Sequence, residues 1–139
     1  MRAAVTGARW VLRASALALV ALGLAFWSGH LLRLLPLHIL LGALFVLGAW
    51  ALALLAAVKG PERWRGIPLL PLGFAVLALG LKQAALLPGP EHWLIKLMHL
   101  GLGIGVLAFA DRLAARLQLV PTRPARAEES RHDESARAL

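Results

Sequence analysis

The sequence predicts an all-α integral membrane protein in which four transmembrane helices form a bundle. Hydrophobic residues make up 60% of the 139 residues, and the mean hydropathy is +0.74. Charged residues gather near the N-terminus, around residues 59 to 65 and after residue 111. The apolar blocks between these clusters are each near the ~20 residues that a helix needs to cross a bilayer. Composition, charge distribution and block length therefore indicate the same fold class.

Four apolar segments are long enough to be spans, and together they define a transmembrane domain of residues 1–116. The spans cover approximately residues 10–29, 31–58, 67–87 and 93–110. The first segment also has features of a cleavable signal peptide, with "GLA" at 23–25 as the cleavage site, and this alternative stays open. The second is long for one crossing, so we expect residues 30–35 to lie at the interface or the helix to tilt. Residues 117–139 are polar, and we expect a disordered cytoplasmic tail.

Basic residues in the loops predict the orientation. They precede the first span, follow the second and follow the fourth, whereas the other two loops carry almost no positive charge. By the positive-inside rule both termini are cytoplasmic, and we expect a multi-pass protein of the plasma (inner) membrane. The net charge of +8 reports this topology. It does not indicate nucleic-acid binding, because no basic patch is interleaved with aromatic residues.

Two similar stretches indicate an internal repeat. "ALVALGL" at 18–24 and "AVLALGL" at 75–81 are identical at five of seven positions. Each is followed by a loop histidine, His30 or His92, and then by a His-x-x-x-Gly sequence, "HILLG" at 38–42 or "HLGLG" at 99–103. Alanine and leucine are common throughout the chain, so identical residues in these stretches are weak evidence. The shared order of apolar stretch, loop histidine and His-x-x-x-Gly sequence is stronger evidence for a repeat. We predict two tandem two-helix repeats related by an axis along the membrane normal.

The repeat pairs His38 of the second span with His99 of the fourth. Both spans run inward from the outer face, and each histidine lies seven or eight residues beyond the loop histidine, which is ~10–12 Å along a helix. An ionisable side chain within a span predicts a functional site, because its burial in lipid is costly. Gly42 and Gly103 follow four residues later on the same helical face. They leave room for a flat macrocycle or for a close helix crossing.

Imidazole is a good axial ligand for heme iron, and the core of a four-helix bundle is a common place for such a site. The chain has no cysteine, which excludes thiolate metal sites and covalent c-type heme attachment. With "HILLG" and "HLGLG" on the second and fourth of four spans, residues 18–113 resemble the small transmembrane b-type cytochromes. The resemblance implies one heme b near the outer face, with His38 and His99 as ligands of the iron. Leucines at positions 52 and 113 leave a second, inner heme without comparable ligands.

Four further residues lie close to this pair in the sequence. His30 and His92 come about two helical turns earlier, at the water boundary, where they line the entrance to the site or are ordinary loop residues. Arg33 and Lys96 fall between the histidines of each half, where they pair with heme propionates or extend outward to the interface. We include all four in the candidate site.

The resulting expectation is an electron-transfer protein or subunit rather than a free-standing enzyme. Besides the lipid bilayer, its expected partner is a quinone or another redox subunit, and it associates with copies of itself, with other chains, or with neither. One alternative is a structural or assembly subunit without a cofactor, whose histidines form hydrogen bonds between helices. The other is a metal-handling or transport protein that uses the four membrane histidines as ligands.

Overall fold

The computed structural model describes residues 2–58 and 63–119, and every regular element within these residues is helical. The helices are α1 (Arg2–Trp27), α2 (Leu35–Val58), the short α3 (Arg63–Gly66), α4 (Leu69–Lys82) and α5 (His92–Leu119). Four stretches are long and apolar enough to cross a membrane: Ala3–Trp27, Leu32–Val58, Trp64–Ala85 and His92–Leu119. This confirms the prediction of an all-helical protein with four spans. The predicted tail lies outside the described residues from residue 120 onward.

The helices differ in extent from the predicted spans. α1 begins at Arg2 and α5 continues to Leu119, because both ends contribute buried side chains such as Val5 and Leu117. The long second segment is not a single helix, since a 3-10 turn at Leu32–Leu34 precedes α2. Pro36 consequently lies in the first turn of α2, where its missing N–H group costs no helical hydrogen bond.

The four long helices form a closed ring in which α2 is the most buried member. α1 packs on α2, α2 on α4, α4 on α5 and α5 on α1, and α2 also contacts α5 across the bundle. In the most apolar window of α2, 39% of the residues are buried, against 17% in each of the other three spans. The two histidine-bearing helices, α2 and α5, are therefore in direct contact.

The hydrophobic core occupies only one half of the bundle, which we call the arginine half because it contains Arg9 and Arg13. It comprises residues 3–16, 45–58, 69–76 and 106–119, and every member of the core cluster falls within these ranges. The opposite half, here the histidine half, comprises residues 17–27, 35–44, 77–82 and 92–105. Ile95 is its one buried side chain. Side-chain packing within the described protein is thus strongly asymmetric along the bundle.

Close contacts at glycines bring the helices of the arginine half together. A Cβ added to Gly48 would lie 3.2 Å from Cγ of Leu12, so this glycine receives a leucine of α1. On the other side of α2, the Trp50 indole covers Gly73 of α4, where a Cβ would lie 2.6 Å from the indole nitrogen. The same Nε1–H donates to the carbonyl of Leu69 at 3.2 Å, which gives the half-buried indole a hydrogen-bond partner.

A carboxylate and two guanidinium groups join α1 to α5 in this half. Arg9 donates from Nε and Nη2 to the two oxygens of Asp111 at 2.7 and 2.9 Å. Arg13 donates to the same two oxygens at 2.9 and 3.0 Å. Gln118 extends the cluster by accepting from Arg9 at 3.4 Å and donating to Thr6 at 3.1 Å. Two arginines interpreted from the sequence as topology signals are therefore also interhelical contacts.

Candidate functional site

His38 and His99 both lie in the histidine half, on the two helices that meet across the bundle. His38 is in the first turn of α2 and His99 is seven residues into α5. Both side chains are half-buried. The helices that carry the two imidazoles are in contact. The structure thus brings the predicted pair into one region of the bundle.

Each imidazole packs against a glycine of the preceding long helix. A Cβ added to Gly23 of α1 would lie 3.9 Å from Cε1 of His38, which is an ordinary contact. A Cβ added to Gly80 of α4 would lie 2.8 Å from Cε1 of His99, which is too close for any methyl group. A methyl group therefore fits beside the His38 ring at position 23, whereas at position 80 the His99 ring or α4 would have to shift to admit one.

The Nδ1 atoms of both histidines are buried and have no hydrogen-bond partner within the described residues. A buried polar atom without a partner costs about 1–3 kcal/mol, so a fold retains few of them. Here two such atoms belong to two imidazoles in the same loosely packed half. Each such atom calls for an explanation, of which an ordered water molecule, a bound ion and a redox role are examples.

Two aromatic residues near the end of α1 contact the histidine-bearing helices. The ring of Phe26, near the end of α1, lies 5.3 Å from the His38 ring between centroids, with an edge-on angle of 61°. The adjacent Trp27 lies beneath Lys96 of α5, with Nζ 5.8 Å from the ring centroid. The end of α1 thus contacts both histidine-bearing helices, one through an aromatic pair and one through a cation–π contact.

The remaining predicted site residues have different surroundings. A Cβ on Gly42 would meet no atom within 4 Å, and one on Gly103 would lie 4.0 Å from Val76. Arg33 is exposed in the 3-10 turn before α2. Open space therefore adjoins Gly42, one turn beyond His38, whereas Gly103 makes an ordinary packing contact.

The loop histidines are engaged within their own loops. Nδ1 of His30 lies 3.1 Å from the hydroxyl of Ser28, and Nδ1 of His92 donates to the carbonyl of Leu86 at 3.2 Å. Among the described residues, no three or more histidine, cysteine, aspartate or glutamate side chains are grouped so that they could hold a metal ion. The four histidines thus do not converge on a common point.

Sequence reasoning missed Gly23, Gly80 and Phe26. The two glycines are the sixth residues of "ALVALGL" and "AVLALGL", so the signal was present in the stretches that suggested the repeat. Each contacts the histidine of its own half of the chain. Phe26 has no counterpart, because glutamine stands at the corresponding position 83. No sequence pattern marked it.

The fold and the site together define the class of protein. Its described residues are all-helical, with four helices long and apolar enough to span a membrane. Two half-buried imidazoles lie in the half of the bundle that has one buried side chain. Comparison of the chain with models of known protein families, with curated protein sequences and with solved structures finds no match. The functional conclusion therefore depends on the site itself.

Proposed function

We propose that the protein is a b-type cytochrome-like electron-transfer protein or subunit that holds one heme between His38 and His99. The observation that carries this proposal is the placement of two half-buried imidazoles on helices in contact, in the half of the bundle that has one buried side chain among the described residues. Two imidazoles on helices in contact are a ligand pair that can fill both axial positions of a heme iron. The proposal rests on the chemistry and placement of these two side chains.

The surroundings of the two rings fit a flat, largely apolar group. The histidine half has one buried side chain in the described residues, so inserting a macrocycle there displaces few existing contacts. The His38 ring lies near Gly23 of α1 and the His99 ring near Gly80 of α4. Gly42 adds open space one turn beyond His38.

A heme bound through both axial positions supplies reversible one-electron transfer, and it leaves no position at which oxygen or a substrate can bind the iron. This favours a relay over an oxygen-activating enzyme. His99 lies seven residues from the start of α5, or ~10 Å at 1.5 Å per residue. One site at this depth does not span ~30 Å of hydrocarbon, so a quinone or a second redox subunit is part of the proposal.

The two alternatives predict different states of the same histidines. In a cofactor-free structural subunit, the two imidazoles should find hydrogen-bond partners between helices, yet neither Nδ1 has one in the described residues. A metal-handling protein that uses four histidines requires His30 and His92 to join the site, and both instead bond within their own loops. The geometry therefore favours the two-ligand site.

The absorption spectrum of the full-length protein, purified in detergent from heme-sufficient cells, tests the proposal. We expect a Soret band and the spectrum of a low-spin, six-coordinate heme, with one heme per chain. His38→Ala and His99→Ala should each abolish the six-coordinate spectrum, because each removes one axial ligand. His30→Ala and His92→Ala are the matched controls and should retain it.

A colourless preparation with no metal by elemental analysis would overturn the proposal in favour of the structural alternative. Bound zinc or copper without heme would support the metal-handling alternative. A spectrum that survives in the His38→Ala/His99→Ala double variant would show that heme binds elsewhere. The proposed ligand pair would then be wrong.

A further inference from the structure

A groove runs along the outside of the bundle between α1 and α5, at the arginine half. Its lining is Arg13, Ile104, Leu107, Ala108 and Asp111, and its volume is about 280 Å³. The four α5 residues follow the spacing i, i+3, i+4 and i+7, so they form one stripe along the helix. The groove therefore has a charged end at Arg13 and Asp111 and an apolar length that continues toward the histidine half.

The charged end carries an excess of positive charge. Two guanidinium groups share the single carboxylate of Asp111, so the three groups together have a net charge of +1. Arg13 uses only two of its five N–H groups in these bonds, and its side chain is 44% exposed against 25% for Arg9. Arg13 thus presents unused donors at the mouth of the groove.

The position of Asp111 along α5 places this end at the membrane boundary. Trp93 and Asp111 are separated by 18 residues of one helix, or ~27 Å, which is close to the ~30 Å thickness of the hydrocarbon core. If the Trp93 indole lies at one interface, as tryptophan prefers, Asp111 lies near the other. The α1 side chain Trp10, 66% exposed, is a second tryptophan near the level of the cluster.

We propose that this groove binds an anionic phospholipid, with the phosphate on Arg13 and an acyl chain along Ile104, Leu107 and Ala108. Basic pockets between transmembrane helices at headgroup level bind anionic lipid headgroups, and a planar guanidinium matches a phosphate with two hydrogen bonds. Ala108 is the small residue that opens the groove between larger neighbours. The proposal is independent of heme binding, because His99 and Asp111 are 12 residues apart on α5, or ~18 Å.

Native mass spectrometry of the full-length protein in detergent tests this site, with phosphatidylglycerol and phosphatidylcholine added in separate titrations. We expect selective retention of one phosphatidylglycerol per chain. Arg13→Gln should weaken that binding about fivefold, as expected for one basic residue at a membrane surface. Lys82→Gln removes one positive charge at the exposed end of α4, in the histidine half, and is the matched control, which should bind as the wild type does.

Ala108→Leu keeps all charges and fills the groove, so it tests the acyl-chain contact even if Arg13→Gln fails to fold. We expect this variant to lose phosphatidylglycerol selectivity while its helical content is unchanged. Equal binding of both lipids, or wild-type binding by Ala108→Leu, would overturn the proposal. Inorganic phosphate that displaces phosphatidylglycerol completely would show a free-anion site and would overturn it equally.

Discussion

Gly80 and Gly23 provide a matched test of where the two histidines lie. A methyl group at position 80 would be 2.8 Å from Cε1 of His99, whereas carbon atoms are optimally ~3.5–4.0 Å apart. The ring or α4 would have to move by roughly 0.7 Å or more. At position 23 the same methyl would lie 3.9 Å from Cε1 of His38, within the optimal range. Gly80→Ala should be destabilising and Gly23→Ala should not.

The size of the difference follows from two contributions. Both substitutions gain helix propensity of up to about 1 kcal/mol, and this gain cancels when the variants are compared with each other. Overpacking of a filled site typically costs about 1–3 kcal/mol. We therefore expect Gly80→Ala to be less stable than Gly23→Ala by about 1–3 kcal/mol. The difference in unfolding free energy between the two variants is measured by following their unfolding in detergent by circular dichroism.

A double-mutant cycle assigns the cost to the histidine ring. In a His99→Ala background the methyl at position 80 meets no imidazole, so Gly80→Ala should show only its propensity gain. Equal stability of Gly80→Ala and Gly23→Ala, or a cost of Gly80→Ala that persists without the His99 ring, would refute the placement of His99 against α4. The measurement does not depend on whether heme is bound.

Two further substitutions test contacts of the arginine half. Asp111→Asn leaves Arg9 and Arg13 without a shared carboxylate and should cost about 1–2 kcal/mol, between the values for exposed and buried ion pairs. Stability unchanged within error in the same unfolding assay would show that the ion pairs of Asp111 with Arg9 and Arg13 do not stabilise the fold. Trp50→Phe removes the donor to the Leu69 carbonyl and should cost about 1 kcal/mol, and a stabilised variant would contradict that hydrogen bond.

Hydropathy predicted the four spans because a bilayer selects helices by the length and composition of contiguous segments. The ends of the helices depend on other contacts. α5 continues to Leu119 because Leu113 and Leu117 are buried, and these contacts form only once the helices pack. Likewise, a sequence pattern does not fix the start of α2 at Leu35, which follows a turn in which Leu31 has a positive φ of 57°.

The histidine pair was predictable from chemistry. Placing an imidazole within an apolar span costs free energy, so its presence there indicates a candidate functional site. The glycines that receive the rings were not, although both were quoted in the similar stretches. A glycine in a membrane helix has many uses, and only the packing of α4 against α5 shows that position 80 contacts His99. The role of Arg13 was hidden for the same reason, since its partner Asp111 is 98 residues away.

The asymmetry of the bundle connects these findings. In the arginine half, the hydrophobic core is buried and the polar groups are paired. The Trp50 indole has a hydrogen-bond acceptor, and the Asp111 carboxylate is paired with two guanidinium groups. The histidine half differs, with one buried side chain and two imidazoles whose Nδ1 atoms lack hydrogen-bond partners in the described residues. Natural proteins usually break packing and hydrogen-bonding rules at functional sites. If the histidine half binds the proposed heme, the closely packed arginine half holds the four helices together beside it.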